Sequence, residues 1–197
     1  MKVDWSSLPA PQDNGEADHL LNSKIPPISL PSTDNTSITL SALPGKTVLY
    51  IYPRTGQPGK SNPDGWDVIP GTLPHTRHPL IRTGARGCTP QSCSFRDNAK
   101  ELQGLGINHI FGLSTQDTEY EREAAVRLHL PFPLLSDEKL ELAKAMKLPT
   151  FHVDEVGTLL KRMALVIEDG RIVKVFYPVF PPEGSAQEVV DYLKSHD

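Results

Sequence analysis

The run TVLYIY, residues 47–52, constrains the fold more than any other stretch. Its six residues are β-branched, aliphatic or aromatic and carry no charge, so it reads as a buried central strand. Before it, IPPISLPSTDNTSITLSALPGK holds two short apolar runs about the turn signal Thr33-Asp34-Asn35, the pattern of a β-hairpin. After it, residues 53–87 are rich in Gly, Pro and polar side chains. A helix is expected from Pro90 to Leu105, with Phe95, Leu102 and Leu105 as apolar anchors and Gly104 and Gly106 bracketing its end. INHIFGLS (107–114) is a second strand.

Thr118-Glu119-Tyr120-Glu121 matches a capping box and starts a helix through about His129, which Pro131 and Pro133 stop. Ser136 reads as the N-cap of a further helix to about Lys147, with acids in its first turn. RMALVIEDGRIVKVFY is two strands around Asp169-Gly170, and residues 185–195 form a closing helix. Alternating elements of this kind argue for an α/β layered fold with a mixed central sheet flanked by helices. A βαβ unit followed by a hairpin and a final helix is the thioredoxin-like order. Residues 1–24 read as a polar N-terminal extension and 25–197 as a single domain, with a long loop insertion at about 55–84 before the helix expected from Pro90 to Leu105.

A net charge of −4 over 197 residues suggests neither a nucleic-acid groove nor a basic membrane patch. No apolar run reaches the roughly 18 residues of a membrane span. MKVDWSSLPAPQDNGEADHL is polar and acidic and lacks an apolar signal core, so the expected compartment is the cytosol or the nucleus. There a structural disulfide is disfavoured, and neighbouring cysteines read as redox chemistry or metal.

The chain has two cysteines, both in GCTPQSC (87–93). Cys88 follows the buried strand at the mouth of the next helix, and Pro90 suits a first helical turn. Free amide N–H groups and the helix dipole favour an anion at that place, and Arg86 would add to them. Cys93 lies five positions on, which in an α-helix separates the two Cα atoms by roughly 8–9 Å. A disulfide needs about 4.4–6.8 Å, so the two can bond only if the first turn or two unwinds. The spacing suits thiols that act in sequence better than a static staple. It leaves inert buried thiols open, and metal binding less so, since C-x4-C lacks the usual C-x2-C spacing and a second pair.

The wider sequence narrows this. GCTPQSCSFRDN after IYP resembles the peroxiredoxin family, closest to its peroxiredoxin Q or bacterioferritin comigratory protein group. The resemblance continues through GLSTQDTEYEREAAVRLHLPFPLLSDEKLELAKAMKLPTF and KRMALVIEDGRIVKVFYP and covers about residues 20–195. It implies a thiol peroxidase on a thioredoxin fold, acting on hydrogen peroxide and small organic hydroperoxides without metal, haem or flavin. By resemblance, Cys88 is the peroxidatic cysteine and Cys93 the resolving one, joined in an intramolecular disulfide that thioredoxin or a similar dithiol reduces. Pro53 matches the proline that shields the reacting sulfur, and Arg162 falls on the strand that carries the family's active-site arginine. The resemblance also implies a monomer or weak dimer.

Two departures stand out. The family's threonine, three residues before the peroxidatic cysteine, is here Ala85, so Thr55 is the first candidate to replace it and Thr83 the second. Pro53 and Cys88 also have 34 residues between them, where the family has six. TGQPGKSNPDGWDVIPG (55–71) is similar to one branch of the family, but TLPHTRHPLIRTG (72–84) is not. Deleting the latter would restore IPGARGCTPQSC without a seam, so it reads as a 13-residue addition, lineage-specific or retained from an intron.

Other signals carry little. ALPGKT (42–47) ends like a phosphate-binding loop, but Leu40 stands where its first glycine should be and the segment leads into a strand. His75 and His78 sit in the addition and read as solvated, His109, His129 and His152 have no partner set, and Trp66 and Tyr52 read as packing residues. Glu119, Glu121 and Glu123 read as a solvated helix face. The leading expectation is a thioredoxin-dependent peroxidase. The alternatives are a peroxidase-impaired redox sensor or holdase-like binding protein, and a thiol–disulfide exchanger.

Overall fold

The computed structural model describes residue 5, residues 10–60 and residues 87–196. The addition at 72–84, Trp66, His75, His78, Thr83, Ala85 and Arg86 lie outside the described residues. Strands β1 (Ser29–Pro31) and β2 (Ser37–Thr39) pair antiparallel, as the hairpin reading expects. The uncharged run becomes β3 (Lys46–Ile51), the middle strand of a five-stranded sheet. Helix α1 (Cys88–Gly104) leads into β4 (Ile107–Ser114), α2 (Thr118–Arg127) and β5 (Leu134–Ser136). Then come α3 (Glu141–Met146), β6 (Thr150–Val153), β7 (Gly157–Leu160), β8 (Met163–Glu168), β9 (Arg171–Phe176) and α4 (Ser185–Ser195).

The sheet runs β5-β4-β3-β8-β9. Strands β3, β4 and β5 are parallel, and β8 and β9 are antiparallel to their neighbours, so the sheet is mixed and thioredoxin-like. Side chains along β3 alternate between its two faces. Val48, Tyr50 and Tyr52 join Phe95, Ala99 and Leu102 of α1, Ala124 of α2, and Val189, Val190 and Leu193 of α4. Leu49 and Ile51 join the opposite cluster with Leu142 and Met146 of α3. Ala17 and Leu20 pack into that second cluster too, so the boundary expected at residue 24 falls inside a packed segment. Among the described residues no helix is long and apolar enough to cross a membrane.

Local expectations fail at four polar side chains. The N-cap of α2 is Asp117 rather than Thr118: its carboxylate accepts the Tyr120 N–H at 2.7 Å. Glu121, read as solvated, is fully buried. Ser136 does not cap a helix but ends β5 and donates to the Gln116 carbonyl at 2.6 Å. Asp137 takes over the capping, accepting from the amides of Leu142 and Ala143, and α3 is shortened to six residues. The β6–β7 hairpin was not anticipated; it is a two-stranded sheet of its own.

Candidate active site

Helix α1 begins at Cys88 itself, two residues before the expected start. Gly87 caps it with φ +105°, a left-handed conformation that a side chain would strain. A Cβ there would lie 2.4 Å from Cγ of Pro182, so the close approach of the Pro182–Gly184 turn also requires glycine. This tight entry puts the Cys88 thiol in the first helical turn, 3% exposed, among amide N–H groups that have no acceptor within the helix.

Arg162 meets it from the sheet. It stands in the residue immediately before β8 rather than on the strand, and it is buried. One guanidinium nitrogen, Nη2, donates to Cys88 Sγ at 3.4 Å and the other, Nη1, donates to Gln91 Oε1 at 2.5 Å. Gln91, one turn into α1 and fully buried, in turn donates from Nε2 to Ser185 Oγ at 3.4 Å, in the first residue of α4. The entrance to β8, the first turn of α1 and the start of α4 thus hold one another through a single glutamine. A sulfur anion at Cys88 would face both the helix N-terminus and a fixed guanidinium, two positive partners that converge on one atom.

Cys93 lies on the same unbroken helix, half-buried, and the two cysteines are not joined in a disulfide. Pro53 stands two residues after the end of β3 and is buried. Thr55 is buried as well, but its hydroxyl donates to Gln116 Oε1 at 3.1 Å. The same Gln116 oxygen accepts the Thr55 N–H at 2.8 Å, and Gln116 Nε2 donates to the Thr55 carbonyl at 3.2 Å. The fold therefore brings Cys88 and Arg162 into contact and keeps Cys93 one helix segment away, while it ties Thr55 to the loop after β4.

Three residues that the sequence did not mark as part of the site belong to this architecture: Gln91, Gln116 and Glu121. Gln91 stands inside the cysteine motif, yet nothing in a sequence marks a glutamine as a bridge between elements 71 and 94 residues away. Burial pushes the Glu121 carboxyl well above its ordinary range, opposed by hydrogen bonds from Ser114 and Tyr52.

Comparison with known proteins agrees with the geometry. The Redoxin family model matches residues 20–193, most of the chain. The chloroplastic peroxiredoxin Q of Sedum lineare is 28% identical over 172 residues, which cover 86% of this chain and 75% of that protein. The crystal structure of peroxidoxin BcpB from Mycobacterium tuberculosis superposes with a TM-score of 0.64 at 22% identity, over 90% of this chain and 97% of that one. The Xanthomonas campestris bacterioferritin comigratory protein, whose structures address its alkyl peroxide reduction activity, gives 0.61 at 21% identity, over 86% and 91%. The chain belongs to the redoxin family and, within it, to the peroxiredoxin Q and bacterioferritin comigratory protein group of thiol peroxidases.

Proposed function

We propose that this chain is a two-cysteine peroxidase in which Cys88 attacks peroxide and Cys93 resolves the product. The contact between Arg162 and Cys88 Sγ at the first turn of α1 is the observation that carries the reading. In it the Cys88 thiolate attacks one peroxide oxygen and the O–O bond breaks. The leaving oxygen takes a proton and departs as water or an alcohol, and sulfur is oxidised to a sulfenic acid. The Cys93 thiolate then attacks that sulfur, the S–S bond forms, and hydroxide leaves as water. Two electrons from a thioredoxin-like dithiol return both thiols by exchange. Arg162, permanently charged, orients the peroxide oxygens and stabilises the charge on the leaving one. Hydrogen peroxide and small organic hydroperoxides are the proposed substrates.

Disulfide formation requires movement. Both thiols sit within α1, and i to i+5 Cα atoms in a helix are about 8–9 Å apart against the roughly 4.4–6.8 Å of a disulfide. The first turns of α1 must unwind, which detaches Gln91 from Arg162 and Ser185. A second reading, a sensor that oxidises once and turns over poorly, draws on the Thr55 hydroxyl, whose proton is committed to Gln116.

The test is mass spectrometry of the reduced protein after one equivalent of hydrogen peroxide, beside Cys88→Ser and Cys93→Ser. Expected are a rapid loss of two hydrogens in the wild type and an added oxygen trapped at Cys88 in Cys93→Ser. Thiols that stay reduced for minutes, under conditions that oxidise free cysteine, refute the peroxidase reading. Continuous peroxide consumption with thioredoxin and its reductase separates an enzyme from a sensor, which oxidises only stoichiometrically.

A further inference from the structure

Among the described residues, the segment Tyr52–Gly56, which carries Pro53 and Thr55, is tied to one neighbouring unit, the end of β4, the loop after it and helix α2. At its start, the Tyr52 hydroxyl donates to Glu121 Oε1 at 3.2 Å. In the middle, the Arg54 guanidinium lies 5.2 Å from the Tyr120 ring centroid and donates to its hydroxyl at 3.4 Å. Thr55 is gripped on its N–H, carbonyl and hydroxyl by the Gln116 side chain. At its end, Arg127 Nη2 donates to the Gly56 carbonyl at 3.0 Å.

These ties meet at Glu121. Its Oε1 also accepts from Ser114 Oγ at 2.7 Å, and Ser114 Oγ in turn accepts the Gln116 N–H at 3.1 Å. One carboxyl oxygen therefore fixes Tyr52 directly and orients the backbone of the residue that clamps Thr55. The other oxygen, Oε2, is buried without a hydrogen-bond partner among the described residues. A buried carboxylate with a bare oxygen is costly, the neutral acid less so, and burial favours the neutral form. Tyr52 belongs to the same buried cluster as Cys88 and Phe95, so a shift of Tyr52 is transmitted to the active-site helix.

We propose that Glu121 is a positioning residue for the peroxide reaction, the buried hub through which β4 and α2 hold Tyr52–Thr55 in place against the Cys88 helix. This rests on the peroxidase reading. The residue touches neither the sulfur nor the peroxide; it acts by setting where Pro53 and Thr55 stand. What the site needs from it is a neutral acceptor at Oε1, which a glutamine carbonyl supplies as well as a carboxylic acid does.

The test uses Glu121→Gln, Glu121→Leu and Gln116→Ala in the full chain. The rate constant of Cys88 oxidation by hydrogen peroxide is measured in a single turnover, separately from disulfide formation. Glu121→Gln is expected within about 3-fold of the wild type, and Glu121→Leu and Gln116→Ala each at least about tenfold slower, as for a lost buried hydrogen bond. In the double variant the two losses should not multiply, because both break one chain of contacts. Wild-type oxidation rates in Gln116→Ala, or in a folded Glu121→Leu, overturn the proposal. So does Glu121→Gln as slow as Glu121→Leu, which would mean that the acid itself is needed. Should Glu121→Leu not fold, Gln116→Ala and Glu121→Gln decide the matter. A wild type no faster than free cysteine refutes the peroxidase reading, and this proposal with it. A fast wild type beside unaffected variants refutes this proposal alone.

Discussion

Replacing Gln91 by alanine should make the proposed Cys88–Cys93 disulfide form faster. Gln91 holds the segment that must unwind, through one charge-assisted hydrogen bond from Arg162 and one longer bond to Ser185. Bonds to charged groups contribute about 1.5–3 kcal/mol and neutral ones about 0.5–1.5 kcal/mol, with the 3.4 Å contact at the low end. Both are already lost in the unwound state, so their removal destabilises only the wound one. The higher helix propensity of alanine opposes this by a few tenths of a kcal/mol. The net is about 2 kcal/mol, or roughly a 30-fold larger unwound population, at 1.4 kcal/mol per decade.

Arg162 keeps its contact with Cys88 Sγ in this variant, so the oxidation step should fall only a few-fold. Rapid quenching followed by mass spectrometry reads both steps: the lifetime of the Cys88 sulfenic acid should shorten by an order of magnitude or more. The fraction driven to irreversible sulfinic acid by excess peroxide should fall with it. If oxidation remains fast and the disulfide forms no sooner than in the wild type, Gln91 does not hold the helix and the reasoning is wrong.

Three further outcomes follow from the geometry. Arg162→Lys retains a charge but cannot fork to Cys88 and Gln91 together, so Cys88 oxidation should slow at least about tenfold, and Arg162→Ala by about 10²–10³; stopped-flow oxidation at equal peroxide checks both. Gly87→Ala places a Cβ at φ +105° and 2.4 Å from Pro182, which should cost about 1–3 kcal/mol and lower Tm by several degrees in a thermal melt, with slower oxidation because the first turn of α1 shifts. Glu121 is raised from its ordinary 4.5 by burial, so the unfolded chain ionises where the folded one does not, and the fold loses up to about 1.4 kcal/mol per pH unit between 4.5 and the folded value. Glu121→Gln removes that slope, so urea unfolding from pH 5 to pH 7 should increasingly favour the variant; parallel curves would show that Glu121 is ionised in the fold.

Much of this protein is legible from local chemistry. The uncharged TVLYIY run, the strand at 107–114, the turn at Asp169-Gly170 and the last helix appear where their periodicity and turn residues put them, because each depends on neighbours within a few positions. The motif around Cys88 and its place at a helix start were also readable, since Gly, Pro and an apolar anchor suffice to mark a helix entrance. Tertiary structure alone decided which polar residues went inside. Glu121 sits among acids and arginines in a stretch that looks solvated, and only the packing of α2 beside β5 turns it inward to Tyr52 and Ser114. Asp137 accepts the α3 amides in place of Ser136 because β5 pairs with β4 and claims the serine for the sheet edge. The bridge Cys88–Arg162–Gln91–Ser185 joins residues up to 97 positions apart, so it exists only once the sheet has brought β8 beneath the mouths of α1 and α4. Local sequence specifies the backbone states of short segments. Which side chain meets which sulfur is set by long-range register, a property no single segment contains.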